Sequence, residues 1–300
     1  MLGRDHIQIK TPDQVRQMRR AGLVVADVHA ALREAVRPGV TTAELDAVSA
    51  ETIRRAGAVS NFLGYQDYPA TVCVSVNEEV VHGIPGPRVL AEGDLVTFDC
   101  GAYVLDEEGT AWHGDAAFTT VVGGRYASDS DRVLDTTTRE ALWSAVAALA
   151  RAMEGQATGR GERLNAVGDA VEEVVAAARE REDMELGILE EYVGHGIGTQ
   201  MHMAPDVLNY SVRRKGPRLR PGMVLAVEPM LTAGGPAVRE LDDGWTVVTQ
   251  DGSRAAQWEH TVALVPGGVW VLTASDGGVE GLAPFGIAPR PLTAVSLYTS

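Results

Sequence analysis

Apolar positions in the first part of the chain recur at helical spacing. After Thr11-Pro12-Asp13, a strong helix start, Val15, Met18, Ala21, Leu23, Val25 and Val28 carry the pattern to about Val36, and Pro38-Gly39 ends it. Thr41-x-x-Glu44 then forms a capping box ahead of Leu45, Val48 and Ile53, which predicts a second helix stopping at Gly57. From there the texture changes. Thr71 to Val76, Asp94 to Val104 and Ala111 to Val122 are rich in β-branched residues bounded by Gly, Asn or Pro, and read as strands. Helical stretches return around Arg132 to Met153 and Leu164 to Glu182. Short strands follow near Tyr192, Met223 to Leu231, Trp245 to Gln250 and Gln257 to Val265.

Helices thus precede strands twice, and weak self-similarity follows the same order. Leu45-x-Ala47-Val48 recurs as Leu164-x-Ala166-Val167, and Leu90-x-x-Gly93 as Leu219-x-x-Gly222, with Asp99 and Glu228 each six residues after the glycine. Convergent turn-then-strand grammar also produces such short matches. A repeated helix-helix-strand unit is nevertheless a sensible way to aim acids from two halves at one centre. From Asp276 onward the chain is rich in Gly, Pro and small residues without periodicity, which reads as a surface tail.

Composition narrows the function classes. The 300 residues are 45% hydrophobic, ample for a continuous core, and the formal net charge of −15 sets the overall field against a phosphate-tracking surface. Direct nucleic-acid binding is therefore not expected. No apolar stretch approaches the length of a membrane span, and Arg4, Asp5 and Lys10 interrupt the N-terminus where a signal core would lie, so a cytoplasmic protein is expected. Cys73 and Cys100 are the only cysteines and read as reduced thiols.

The candidate chemistry lies in acids at the ends of apolar runs. Asp99 follows Leu95-Val96-Thr97-Phe98, Glu228 follows Val224-Leu225-Ala226-Val227, Asp115 sits in a predicted strand, and Glu259 lies within Trp258-Glu259-His260-Thr261. For any single acid, a solvent-facing place on an alternating strand is the commoner outcome. Four of them without a Lys or Arg nearby in sequence are most economically explained by a shared cation, because an unpaired buried carboxylate costs several kcal/mol. His195, in the glycine-lined turn Gly194-His195-Gly196-Ile197-Gly198, supplies an imidazole. One nitrogen among oxygen ligands favours Mn, Fe or Co over a thiolate-type zinc site, and five ligands suit two ions. Carboxylates bridging two ions about 3.5–4 Å apart trap a hydroxide that can attack a peptide carbonyl. His82 and His202 could then serve the carbonyl oxygen and the leaving amine, whereas His6, His29, His113 and His260 read as structural or surface residues.

Five ordered motifs resemble those of the type I methionine aminopeptidases, metallopeptidases of family M24. They are Asn77-Glu78-Glu79-Val80-Val81-His82-Gly83-Ile84-Pro85, Trp112-His113-Gly114-Asp115, Tyr192-Val193-Gly194-His195-Gly196-Ile197-Gly198, Gly222-Met223 through Glu228-Pro229-Met230, and Gln257-Trp258-Glu259-His260-Thr261. The resemblance covers roughly Ile7 to Thr273. It implies an α+β pita-bread fold in which two pseudo-symmetric helix-helix-strand halves form a central curved antiparallel sheet with helices on its outer face. The expected organisation is one catalytic domain over 1–275, with pseudo-halves of about 1–125 and 126–275, and a tail over 276–300.

Carried over by residue, the resemblance implies Asp99, Asp115, His195, Glu228 and Glu259 as ligands of two divalent ions, with Asp115 and Glu259 bridging. Cobalt, manganese or iron is expected, with zinc and nickel as further candidates. Glu228 would also relay a proton, His202 would contact the scissile amide, and His82 would position substrate and leaving group. Tyr65, Tyr68, Cys73 and Trp245 match positions lining a methionine pocket, with Phe62 and Met201 in two more of its places. The implied reaction is attack of the metal-bridging hydroxide on the bond after an N-terminal methionine whose next residue is small. The implied partners are N-termini of nascent chains, met transiently near the ribosome by a monomer.

Two departures stand out. Asp99 and Asp115 are sixteen apart, several more than in compact relatives, which places Asp106-Glu107-Glu108-Gly109 in a longer hairpin turn, and Met201 stands where an aromatic is common. The nearest rival is an Xaa-Pro peptidase of the same fold; those usually carry an additional N-terminal domain, whereas here the helix pattern begins at Thr11. A non-catalytic binding module of this fold is the other alternative, and the complete ligand set argues against it.

Overall fold

The computed structural model describes residues 7–155, 163–213 and 215–292. Helix α1 (Pro12–Ala35) starts at a capping box in which the Thr11 hydroxyl accepts from the Gln14 amide and the Gln14 side chain accepts from the Thr11 amide. Helix α2 (Thr42–Arg55) starts the same way at Thr41 and Glu44, as the sequence predicts. Strands β1 (Val59–Ser60), β2 (Cys73–Val76), β3 (Glu79–Val81), β4 (Leu95–Leu105) and β5 (Ala111–Val121) complete the first half. Val15, Met18, Ala21, Val25, Val28 and Leu32 of α1 are buried at helical spacing, and this face packs on β4 and β5.

The second half opens with α3 (Asp129–Gly155) and α4 (Ala166–Glu182). Its strands are β6 (Gly187–Ile188), β7 (Gly194–Gly196), β8 (Met203–Val207), β9 (Val224–Val227), β10 (Met230–Thr232), β11 (Val238–Glu240), β12 (Val247–Thr249), β13 (Ala255–Gln257), β14 (His260–Val265) and β15 (Gly268–Val271). Helix α3 packs against α4 and against strands β9, β10, β13, β14 and β15, and the apolar faces of these elements make the second core.

Every strand pair is antiparallel, and each half contains a matching trio, β2–β4–β5 in the first and β7–β9–β14 in the second. This is the α+β two-half arrangement expected. Backbone hydrogen bonds divide the strands of the described residues into four sets, however; β5 of one main set meets β14 of the other through the Thr261 hydroxyl, and meets β13 of a third set through the Thr119 hydroxyl.

The long hairpin keeps its register throughout. β4 and β5 pair without a shift from Leu95↔Val121 to Leu105↔Ala111, and the turn beyond them closes with Gly109 at φ 79°. Asp99 faces Ala117 and Asp115 faces Gly101, so the two acids lie diagonally on one face despite their spacing in sequence.

Residues 276–292, read from composition as part of a surface tail, pack on the second core. Helix α5 (Val279–Leu282) buries Leu282 against the second core, and a Cβ on Gly281 would fall 2.2 Å from the Trp143 ring of α3. Small residues there permit close approach, which hydrophobic periodicity does not register. His6 and residues 293–300 lie outside the described residues.

Helix α1 crosses β5 at a pair of glycines. A Cβ on Gly22 would stand 2.2 Å from the Leu272 carbonyl oxygen, and one on Gly114 would stand 2.9 Å from the Gly22 amide. Gly22→Ala is therefore expected to cost ~1–3 kcal/mol or more through overpacking, despite alanine's better helix propensity. Denaturant melts check this, and an unchanged midpoint would mean that Gly22 of α1 does not sit this close to the Leu272 carbonyl.

Candidate metal and substrate site

The two strand trios meet at a cavity of about 320 Å³, and all five expected ligands line it. Asp99 comes from the middle of β4, Asp115 from β5, His195 from β7, Glu228 from just after β9, and Glu259 from just before β14. Ligand atoms of Asp115, His195 and Glu259 lie within 4.8 Å of one another, and His195 Nε2 is 3.5 Å from Glu228 Oε1. Asp115 is 3% exposed and Glu259 2%, so solvent does not screen their charges.

Burial is the first cause of every shift among these groups. It pushes the Asp99 carboxyl up to about 7, and raises Asp115, Glu228 and Glu259 well above the usual carboxylate range, with the neighbouring acids adding to it. Burial also brings the His195 imidazole down to about 3, so its ring is neutral. Its Nδ1 lies 3.0 Å from the Gly196 carbonyl oxygen, which places the proton there and leaves Nε2 as the donor atom facing the acids.

These residues fit a divalent cation. Asp99 Oδ1 and Asp115 Oδ1 are buried with no hydrogen-bond partner among the described residues, and no Lys or Arg lines the cavity to neutralise them. Gly101 leaves the room: a Cβ there would fall 2.8 Å from Asp115 Oδ1. Neutral imidazole, oxygen donors and orphaned carboxylate oxygens form the donor set of an intermediate-to-hard divalent ion.

Beside the acids lies an apolar pocket. Phe62, Tyr68, Cys73 and Met201 are buried together, with Tyr65 and Trp245 packed against them. Cys73 faces Asp99 across the β2–β4 pair, so the pocket opens directly beside the acids. Burial pushes the Cys73 thiol up, which keeps it protonated and the pocket uncharged.

Two histidines flank the passage between pocket and acids. The His202 ring sits 4.4 Å from that of His195, and its Nδ1 is 2.9 Å from the Tyr65 hydroxyl. His82 stands edge-on to Tyr192 and Trp245, and burial lowers its pKa to about 4. Its backbone is left-handed, φ 60°, a costly conformation kept in place by Gly83, where a Cβ would collide with the Val74 carbonyl oxygen at 2.4 Å. His29 and His260 are structural: the first meets the Ala116 carbonyl oxygen and the second the Thr273 hydroxyl. His113 meets the Asn61 side chain and does not line the cavity.

Several residues in or beside the cavity were not singled out from the sequence. Gln257 donates through Nε2 to Glu228 Oε2 at 3.3 Å, and Asn209 donates to the Glu228 carbonyl oxygen at 3.1 Å. Strand alternation two places before Glu259 could have flagged Gln257. Tyr192, Met230 and Asp206 also line the space, the last opposite His195 in the β7–β8 pair.

The profile of metallopeptidase family M24 matches residues 16–266. The chain is 46% identical over 274 residues to methionine aminopeptidase 1 of Mycobacterium tuberculosis, covering 91% of this chain and 97% of that protein. It is 42% identical over 264 residues to methionine aminopeptidase 1 of Bacillus subtilis, covering 88% and 98%. Among solved structures, methionine aminopeptidase from Thermotoga maritima superposes with a TM-score of 0.79 at 35% identity, covering 90% of this chain and all of that one. Prolidase from Pyrococcus furiosus, at 20% identity and a TM-score of 0.64, shares the fold.

The electrostatics yield a test on the chelator-stripped protein. Asp99 titrates at about 7 when folded against an ordinary 3.8, so the unfolded chain holds fewer protons between those values. Its contribution is fully present at low pH and is lost as pH rises through about 7. Asp99→Asn should therefore melt above the stripped wild type, by a margin that widens as pH rises from about 5 to 8. A constant or shrinking margin in paired thermal melts would show that the carboxyl is not held protonated.

Proposed function

Because the chain belongs to metallopeptidase family M24, among the methionine aminopeptidases, we propose that its cavity removes the N-terminal methionine from peptides and nascent proteins. One observation carries the reading. Four carboxylates and a neutral imidazole, drawn from both halves, meet beside an apolar pocket in a cavity that no Lys or Arg lines.

In this reading Asp99, Asp115, His195, Glu228 and Glu259 would hold two divalent ions. Ions bound there supply a hydroxide at neutral pH and polarise the scissile carbonyl. The methionine side chain enters among Phe62, Tyr65, Tyr68, Cys73, Met201 and Trp245, whose aromatic and sulfur-bearing surfaces suit an unbranched thioether. Glu228, oriented by Gln257, carries the proton from the nucleophile to the departing amine. His202, with Nδ1 against Tyr65, presents Nε2 to the scissile amide, and His82 steadies the leaving segment from the other side. A small second residue is preferred. No helix among the described residues is long and apolar enough to cross a membrane. Acting as a monomer on emerging chains near the ribosome, in the cytoplasm, completes the proposal.

Protein loaded with Mn, Fe or Co should release methionine from Met-Gly and Met-Ala peptides and hardly at all from Met-Lys. Cleavage of Xaa-Pro peptides instead would move the chain to the prolidase side of the family.

The histidine roles separate from the ligand roles in a second experiment. His202→Ala should lose about 10²–10³-fold in kcat, as for removal of one transition-state hydrogen-bond donor, with metal content unchanged by elemental analysis. Tyr65→Phe keeps the pocket wall and removes one hydrogen bond, so kcat should fall about threefold to tenfold, as for ~1 kcal/mol, while KM holds. Placed on His202→Ala, the same change should add nothing. An independent loss in that double variant would leave Tyr65 as pocket wall alone.

A further inference from the structure

We propose that two buried threonine hydroxyls, Thr261 of the second half and Thr119 of the first, set the spacing of Asp115 and Glu259, which makes both threonines positioning residues for the metal pair. The inference rests on the reading of the cavity as a metal centre. It concerns how the two halves are locked around that centre.

The Thr261 hydroxyl accepts from the Asp115 amide at 3.0 Å and donates to the Asp115 carbonyl at 2.7 Å. The mirror arrangement occurs four residues away along each chain segment, at β5 and the end of β13, where the Thr119 hydroxyl accepts from the Gln257 amide at 3.1 Å and donates to the Gln257 carbonyl at 2.8 Å. Between them the Glu259 amide donates directly to the Ala117 carbonyl at 2.9 Å. Residues 115, 117 and 119 thus face 261, 259 and 257 as in an antiparallel ladder, with a hydroxyl at each end in place of a peptide group. Asp115 belongs to this ladder through its own backbone, and so does Glu259.

Chemistry explains the choice of side chain. The Thr261 backbone is already committed, because its amide donates to the Thr273 hydroxyl at 3.1 Å and its carbonyl accepts from the Leu272 amide at 2.8 Å. Serving both peptide groups of Asp115 then needs a single atom that donates and accepts, on a short stem, which only a hydroxyl provides. The β-branch of threonine further restricts that stem. At Thr119 the one proton is spent on Gln257, so the Thr97 hydroxyl, 2.8 Å away, must be the donor in the remaining contact. Both threonines are buried, each hydroxyl both donates and accepts, and they join chain segments that carry mutually repelling carboxylates.

The test is calorimetric titration of Mn(II) chloride into the full-length, chelator-stripped protein, with melting temperature followed in parallel. Thr261→Val keeps the shape and removes the hydroxyl. It should weaken the second equivalent by roughly 10–100-fold, the usual effect of losing a group that orients a ligand, and Thr261→Ser should restore it. Thr138→Val is the control: its buried hydroxyl bonds Leu134 within α3, so only the melting temperature should respond. Where Thr261→Val does not fold, Thr119→Val carries the same expectation. A folded variant at either position that binds both equivalents with wild-type affinity overturns the proposal. A wild-type protein that binds no Mn(II) would instead overturn the metal reading beneath it.

Discussion

Four carboxylates share one cavity that no Lys or Arg among the described residues lines, and the rest of the molecule is organised around that constraint. An uncompensated buried charge costs several kcal/mol, whereas a whole domain is stable by only about 5–15 kcal/mol. Asp99, Asp115, Glu228 and Glu259 therefore cannot all be ionised there without a cation. The fold must also hold them close against their own repulsion, since Asp99 raises the proton affinity of Asp115, and both raise that of Glu228 and Glu259.

The scaffold meets this demand with rigid elements on both sides. Each candidate ligand sits in a strand or immediately beside one, where backbone pairing holds its position more tightly than a loop would. The unshifted β4–β5 register puts Asp99 and Asp115 on one face, and the approach of Gly22 to Gly114 seats α1 directly behind them. The second half delivers His195 next to β9 through the β7–β9 pair, and Glu228 and Glu259 at the facing ends of β9 and β14. Hydrogen bonds from threonine hydroxyls then close the boundary between the halves.

Charge is segregated within the cavity. At one end lie the acids; at the other, Cys73 stays protonated, and the aromatic rings and Met201 carry no charge. Neutral imidazoles stand between the two regions, because burial lowers the pKa of His82 and His195 and partial enclosure does the same for His202. The cavity thus presents an apolar surface and an acidic one side by side.

Periodicity and capping chemistry made the first two helices legible to within a few residues, because Thr11, Thr41 and the buried stripe of α1 act through local spacing. The candidate ligands were legible because acids at the ends of apolar strands conflict with burial. The glycine-mediated docking of α5 was not legible, since close approach leaves no hydrophobic signature. Gln257 and Asn209 were likewise unmarked, because a buried amide reveals its role only through its partner. By itself the sequence determined the elements and marked the candidate acids and imidazoles whose side chains could hold a cation. The tertiary structure alone decided that Asp115 and Thr261, 146 positions apart, would share a hydroxyl bridge. Pairing at that distance depends on how two separately patterned halves pack, and local residue spacing carries no record of it.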